Sequence, residues 1–260
     1  MRLQQIFSIG LLLLAVLTAA GNQADTLRIM TFNMHAGHDA SLAQIGQLIR
    51  HYRPDFVALQ EVDYHTHRAN SRHQNNRDFV TELAYFSGMQ GLFGPTIEFS
   101  GGLYGIGLLT RHQLVDVHNI KLPHPTASME QRGLLEGRFV LPDGDTVVVA
   151  CTHLEAFDAV SRQAQAEFVE EHYAHTTHPV VLAGDFNAPP GDAFIQRLAS
   201  VWRDCTGNTP TFSVKQPREK IDYIFACPMQ SWQVVDWQVI PVAMSDHFPV
   251  IATIVRQGHN

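Results

Sequence analysis

The sequence predicts an α/β fold: a four-layer α/β/β/α sandwich of two mixed sheets flanked by helices. Helical and strand-like periodicities occur along the whole chain. Between the second and third helical stretches come five strand-like runs with no helix among them, so hairpins must accompany helical crossovers and the sheets must be mixed. Several runs are apolar on both faces and need cover on both sides, which sheet-on-sheet packing beneath outer helices supplies.

The first strand begins at Leu27 and closes on Thr31-Phe32-Asn33-Met34-His35. Leu42, Ile45, Leu48, Ile49 and Tyr52 then recur at helical spacing, with Asp39 or Ser41 as the cap and Pro54 beyond the end. A strand from Asp55 closes on Leu59-Gln60-Glu61-Val62-Asp63. Phe79, Leu83 and Phe86 repeat the helical pattern between Arg77 and Ser87. The five strand-like runs cover 92–99, 105–110, 114–122, 134–141 and 146–152, and Pro142-Asp143-Gly144-Asp145 joins the last two with an Asp-Gly hairpin signal. A helix over 159–173, an apolar strand from Pro179 to Ala183 and a short helix after Gly191 follow. Ser245-Asp246-His247-Phe248-Pro249-Val250 opens the last strand.

At 260 residues with 45% hydrophobic content, and with no Pro/Gly/Ser-rich linker, repeat or charge block, the chain is expected to form one domain over 25–260. Residues 1–24 stand apart. Met1-Arg2-Leu3 gives a positive start, Ile6 to Leu17 is apolar, and Thr18-Ala19-Ala20 offers small residues, which together make a secretory signal peptide cut after Ala20 or Ala24. The apolar run is shorter than the ~20 residues that span a bilayer. The protein is therefore expected to be exported, to the periplasm or beyond. Export makes a Cys205–Cys227 pairing conceivable, while Cys151, in a segment apolar on both faces, is expected to be a buried thiol.

Five strand ends carry polar cargo: Asn33, Glu61, His153 in Cys151-Thr152-His153-Leu154-Glu155, Asp185 and Asn187 in Gly184-Asp185-Phe186-Asn187, and Asp246 with His247. Alternation along a strand would send Asp185 and Asn187 to one side, although Asp and Asn after a strand also bond their own backbone in simple turns. One such strand end is common. Five in a chain of this size point to one polar site at a sheet edge.

In order, TFNMH, LQEVD, THLEA, GDFNAPP, IDYIFA and SDHFPV resemble the endonuclease/exonuclease/phosphatase superfamily, which includes pancreatic-type deoxyribonucleases, abasic-site endonucleases, neutral sphingomyelinases and inositol polyphosphate 5-phosphatases. The resemblance runs from about Leu27 to about Val255. It implies divalent-metal-dependent phosphoester hydrolysis at one edge of a two-sheet sandwich. By that resemblance Glu61, Asn33 and Asp246 are the metal residues, for Mg²⁺ or Mn²⁺, because hard oxygen donors suit such cations. Asp185 and His247 share the activation of water, and Asp222 of Ile221-Asp222-Tyr223 is the carboxylate that holds His247. Asn187 orients Asp185 or the phosphate, and His153 stabilises non-bridging oxygens. Asp63 is expected to face solvent.

Substrate identity is less legible. Tyr64 to Arg77 (YHTHRANSRHQNNR) is either a solvated loop or, if it folds back, a source of phosphate contacts, with Arg68 nearest in sequence to Glu61. Tyr104 and Arg132 are further substrate-binding candidates on the rim. A net charge of −7 weighs against nonspecific nucleic-acid binding without excluding a nuclease. The expected activity is that of an exported, monomeric phosphodiesterase acting on a lipid head group, small phosphodiester or nucleic acid, with no protein partner implied. A secreted endonuclease and a non-catalytic binding protein on the same scaffold are the alternatives.

Overall fold

The computed structural model describes residues 26–257; the expected signal peptide lies outside them. Among the described residues, twelve strands form two six-stranded sheets. The first contains β1 (Thr26–Asn33), β2 (Phe56–Tyr64), β3 (Gln90–Phe99), β4 (Gly102–Thr110), β11 (Trp232–Val239) and β12 (Val250–Arg256), in the order β11-β12-β1-β2-β4-β3. The second contains β5 (Gln113–Lys121), β6 (Gly133–Val140), β7 (Thr146–His153), β8 (Val180–Asp185), β9 (Arg203–Asp204) and β10 (Asp222–Cys227), in the order β5-β6-β7-β8-β10-β9.

Each sheet has one parallel pair at its centre, β1 with β2 and β7 with β8, and antiparallel neighbours on both sides. A parallel pair needs a crossover. These are α1 (Leu42–Tyr52), between β1 and β2, and α3 (Ala159–Tyr173), between β7 and β8. Ser41 caps α1 in a reciprocal capping box with Gln44, and Asp158 caps α3 through the Ser161 amide. α2 (Phe79–Ser87) is capped by Asp78 and ends on left-handed Gly88, while α4 (Ala193–Val201) starts from Asp192.

Apolar residues divide into three layers. Between the sheets lie Ile29, Phe56, Leu108, Phe139, Val149, Cys151 and Ile224. Phe32, Ile45, Ile49, Leu59 and Leu83 seal α1 and α2 onto one outer face, while Val169, Leu182, Phe194 and Phe225 seal α3 and α4 onto the other. The four-layer sandwich expected from the sequence is the architecture found. The 143–145 hairpin also stands where its Asp-Gly signal put it, with Gly144 at φ 91°.

One expectation about local structure fails. Ser245 to Pro249 is a loop that holds only a single bridge from His247 to Phe212, and the last strand begins at Val250. Pro249 has no N–H for a ladder bond, which fits this late start.

The three cysteines are free. The Cys151 Sγ–H points to Leu59 O at 3.3 Å, and burial pushes its pKa up to about 12. Cys205 is likewise buried and raised to about 12, again by burial first. Only Cys227 is part exposed. A disulfide reagent at pH 8 should therefore modify no more than one thiol of the native protein quickly, and all three after unfolding without reductant. Recovery of a single thiol from the unfolded, unreduced chain would show that two of the three cysteines are paired instead.

Candidate active site

The carboxyl ends of the two parallel pairs lie at the same edge of the sandwich, and the amino ends of their antiparallel partners meet them there. Asn33 pairs with Gln60 at the end of β1, His153 with Asp185 at the end of β7, and Asp222 with Asp185 at the start of β10. His247 enters just before β12. Topology therefore brings residues from far-apart segments into one cluster.

Asn33 connects the two sheets. Its Nδ2 donates to Glu61 Oε1 on its own sheet and to Asp185 Oδ2 on the other, each at 3.1 Å, while its Oδ1 accepts from the His35 amide at 3.1 Å. Ser245 Oγ donates to Asn33 O at 2.7 Å, so the SDH loop is anchored to the same residue.

His247 lies between two carboxylates. Nδ1 is 3.0 Å from Asp222 Oδ2 and Nε2 is 3.6 Å from Asp185 Oδ2. Burial alone would lower the His247 pKa, but Asp222 and Asp185 outweigh it and carry it up to about 10. The ring is thus an imidazolium at neutral pH. Burial pushes Asp185 up to about 7 against the lowering pull of His247. His153, with Nε2 at 3.5 Å from Asp185 Oδ2, is held well below the ordinary histidine value by burial, then by Arg132 and His247, and is neutral.

The backbone is unusual at two of these positions. Glu61 has φ 58° and falls within the register shift of β2 against β4. A bulge of this kind turns a side chain out of its ordinary alternation. Asn187 has φ 49°, so strand alternation does not place it. Its N–H donates to Asp185 Oδ1 at 2.9 Å in the local turn, and its Nδ2 donates to Leu154 O at 2.9 Å. The turn and the pocket are the same structure: closing the turn fixes one oxygen of Asp185 and leaves the other facing His153, Asn33 and His247.

Two donor sets could be considered for a cation. Asp185, Asp222 and His247 offer atoms within 4.8 Å of one another. In that trio both ring nitrogens of His247 already face carboxylates, Nδ1 toward Asp222 and Nε2 toward Asp185. Glu61 fits better. Its carboxylate takes one hydrogen bond, from Asn33, and forms no ion pair among the described residues. Asn33 turns its amide NH₂ toward Glu61 and steadies it. Asp246 is more peripheral, with a side chain 39% exposed and Oδ1 at 3.8 Å from His35 Nδ1.

The rim departs from expectation in one respect. Asp63 does not face solvent: it is buried and holds Arg68 by two bonds, because the 64–77 segment folds back through the His65–Arg77, His67–Ser100 and Asn76–Thr66 backbone bonds. Tyr104 lies beside Arg68, its hydroxyl pushed well above the usual range by burial and then by Glu61 and Glu130. Arg132 is buried between Glu130 at 3.0 Å and Glu155 at 3.3 Å. Sequence reasoning placed Asp63 toward solvent and passed over Glu130 and Glu155 as the holders of Arg132. It also passed over Thr211, whose Oγ1 accepts from the Ile221 and Asp222 amides at 3.2 and 3.3 Å. A groove of about 530 Å³ between Arg203, Trp232 and Trp237 lies away from this cluster and contains none of its residues.

Asp222 Oδ1 is buried with no hydrogen-bond partner among the described residues, so the carboxylate depends on His247. His247→Ala should cost about 3 to 5 kcal/mol of stability at pH 7, the scale of a broken buried ion pair. Adding Asp222→Asn should restore part of that loss. Urea unfolding of the two single variants and the double variant measures the coupling, and additive losses would refute it.

The Endonuclease/Exonuclease/phosphatase family model matches residues 30–247. Human Nocturnin is 27% identical over 165 residues, a match that covers 57% of this chain but 36% of the relative's length. The solved endonuclease/exonuclease/phosphatase structure from Beutenbergia cavernae superposes with a TM-score of 0.75 at 24% identity, over 90% of this chain and 72% of that one. A mannosyl-6-phosphatase of Bacteroides thetaiotaomicron gives a TM-score of 0.68 at 18% identity, covering 88% of this chain and 99% of its own. With the family model spanning every strand end that contributes to the cluster, the chain belongs to the endonuclease/exonuclease/phosphatase family.

Proposed function

We propose that this protein hydrolyses phosphoesters, phosphodiesters first, by in-line attack of water at the Asp185–His247–Asp222 cluster, with a divalent cation held through Glu61. Members of the family are phosphoester hydrolases that typically depend on divalent metal, which supports the reading. The observation that carries it is the buried chain from Asp222 through His247 to Asp185, next to a carboxylate, Glu61, that forms no ion pair among the described residues.

Each side chain then has a task. Asp185 takes the proton of the attacking water, since burial has raised its basicity toward neutral pH. His247, kept charged by Asp222, offers positive charge to the phosphoryl oxygens as they gain charge. Neutral His153 donates its N–H to a non-bridging oxygen from the other side. Asn187 fixes Asp185 in its turn, and Asn33 sets the spacing between Asp185 and Glu61. Mg²⁺ or Mn²⁺ on Glu61, with Asn33 and Asp246 close by, would neutralise phosphate charge and ease departure of the leaving oxygen. Arg68, Tyr104 and Arg132 are the side chains that would contact the substrate beside Glu61. Export, from the leader sequence, completes the proposal.

Glu61→Gln removes the charge that holds the cation and keeps the shape. With bis(p-nitrophenyl) phosphate as probe, turnover should fall by at least about 100-fold, with a raised Mg²⁺ or Mn²⁺ requirement and an unchanged unfolding midpoint. Full activity of the wild-type protein in excess chelator would overturn the metal assignment. A DNA-nicking assay run beside it separates a small-molecule phosphodiesterase from the endonuclease alternative.

A further inference from the structure

Away from the catalytic cluster, the groove of about 530 Å³ runs between β9 and β11, the terminal strands of the two sheets. Its volume falls in the range of roughly 300–1,000 Å³ usual for small-molecule sites. It lies at the opposite end of the sandwich from Asp185. Gln233 on its wall pairs with Val255, and Val255 pairs with Thr26 at the start of β1, whereas Asn33 ends that strand. At about 3.3 Å per residue, the eight residues of β1 put roughly 23 Å between those two ends.

Charge in the groove does not cancel. Asp204 is fully engaged: Oδ1 accepts from the Thr206 amide and hydroxyl at 2.8 and 2.7 Å, and Oδ2 accepts from Lys220 Nζ at 3.1 Å. Arg203 beside it is not. Its Nε is buried without a hydrogen bond, and its guanidinium forms no ion pair among the described residues. A buried donor left in this state costs stability, which a bound acceptor would recover. One cation without a counter-charge matches one negative charge, that of a carboxylate rather than of a phosphate monoester.

The rest of the wall is neutral and partly preset. Trp232 is buried and donates its Nε1–H to Cys227 O at 3.2 Å, while Trp237 is half-buried and its indole N–H has no acceptor among the described residues. Gly207 holds the Trp237 ring in place: a Cβ there would lie 2.1 Å from Cζ2 and 2.4 Å from Cη2, so the indole rests directly on backbone. Gln257 Nε2 donates to Gln233 Oε1 at 2.8 Å, which leaves the Gln233 NH₂ and the Gln257 oxygen for a ligand, and Gln230 is exposed beside them. A fixed aromatic flanked by side-chain amides suits a pyranose. The C–H face of the sugar packs on the indole, and its hydroxyls, donors and acceptors at once, match the amides.

We propose that this groove binds a saccharide bearing a carboxylate, a uronic acid, with Trp237 against the ring, Gln230 and Gln233 on its hydroxyls and Arg203 on its carboxylate. A free uronic acid and a residue of an acidic polysaccharide share this chemistry.

The test uses the full chain in excess chelator, so that binding is read apart from hydrolysis. Calorimetry compares glucuronic acid with glucose, and an oligogalacturonate with a neutral cello-oligosaccharide. The acidic member of at least one pair should bind with a Kd below about 1 mM and at least about tenfold more tightly than its neutral counterpart. A preference in the oligosaccharide pair alone identifies a polymer as the source; one in both pairs identifies the single sugar as sufficient. Arg203→Gln should abolish the preference, and Arg203→Lys should keep part of it. Trp237→Phe should weaken the acidic and neutral members together. Unfolding midpoints are measured for each variant, and turnover of bis(p-nitrophenyl) phosphate by Arg203→Gln should stay within about twofold of the wild type. Equal affinity within both pairs, a preference that survives Arg203→Gln, or tighter binding of inorganic phosphate than of either acidic saccharide would overturn the proposal.

Discussion

The bond pair made by the Asn33 amide is the constraint on which the site depends. One NH₂ group reaches a carboxylate on each sheet, Glu61 and Asp185, so the spacing between the two halves of the chemistry is set by a single planar group. It can do so only because β1 and β8 present their ends at the same edge, and that follows from packing parallel pairs at the centre of both sheets. The apolar layer between the sheets, from Ile29 to Ile224, holds the distance. Core packing and catalytic geometry are therefore one problem here.

Charge is arranged in two tiers. In the inner tier, buried Asp185 and Asp222 share His247 and leave His153 neutral. In the outer tier, half-buried Arg68 and buried Arg132 are each held by acids, Asp63 in one case and Glu130 with Glu155 in the other. Each guanidinium is oriented by the carboxylates that partly neutralise it. An overall charge of −7 is thus compatible with an anionic substrate, because the fixed local donors, and not the average, meet it.

Much of this was legible in the sequence because two periods are easy to see. Leu42, Ile45, Ile49 and Tyr52 announced α1, and the helix found over Ala159–Tyr173 has the bounds that its pattern gave. The strand ends were legible because polar residues there interrupt apolar runs. The positions that alternation could not reach are those where the backbone leaves the regular regions: Glu61 at a bulge, Asn187 in a left-handed turn, and the 245–249 loop. Asp63 was misjudged for a different reason. A carboxylate at a strand end looks solvent-bound until the Arg68 that covers it is seen to fold back, and that return depends on contacts such as Gln74 Nε2 with Ala40 O that no local pattern encodes.

Most site residues sit on or beside strand ends, while Arg68 and His38 sit on connections between strands. This division has a consequence for descent. Loops can be lengthened, shortened or exchanged with small cost to the packed layers, and an altered 64–77 segment would leave the spacing of Asn33, Glu61 and Asp185 untouched. Lineages that inherit this scaffold can therefore change diet, substrate by substrate, without reinventing the reaction.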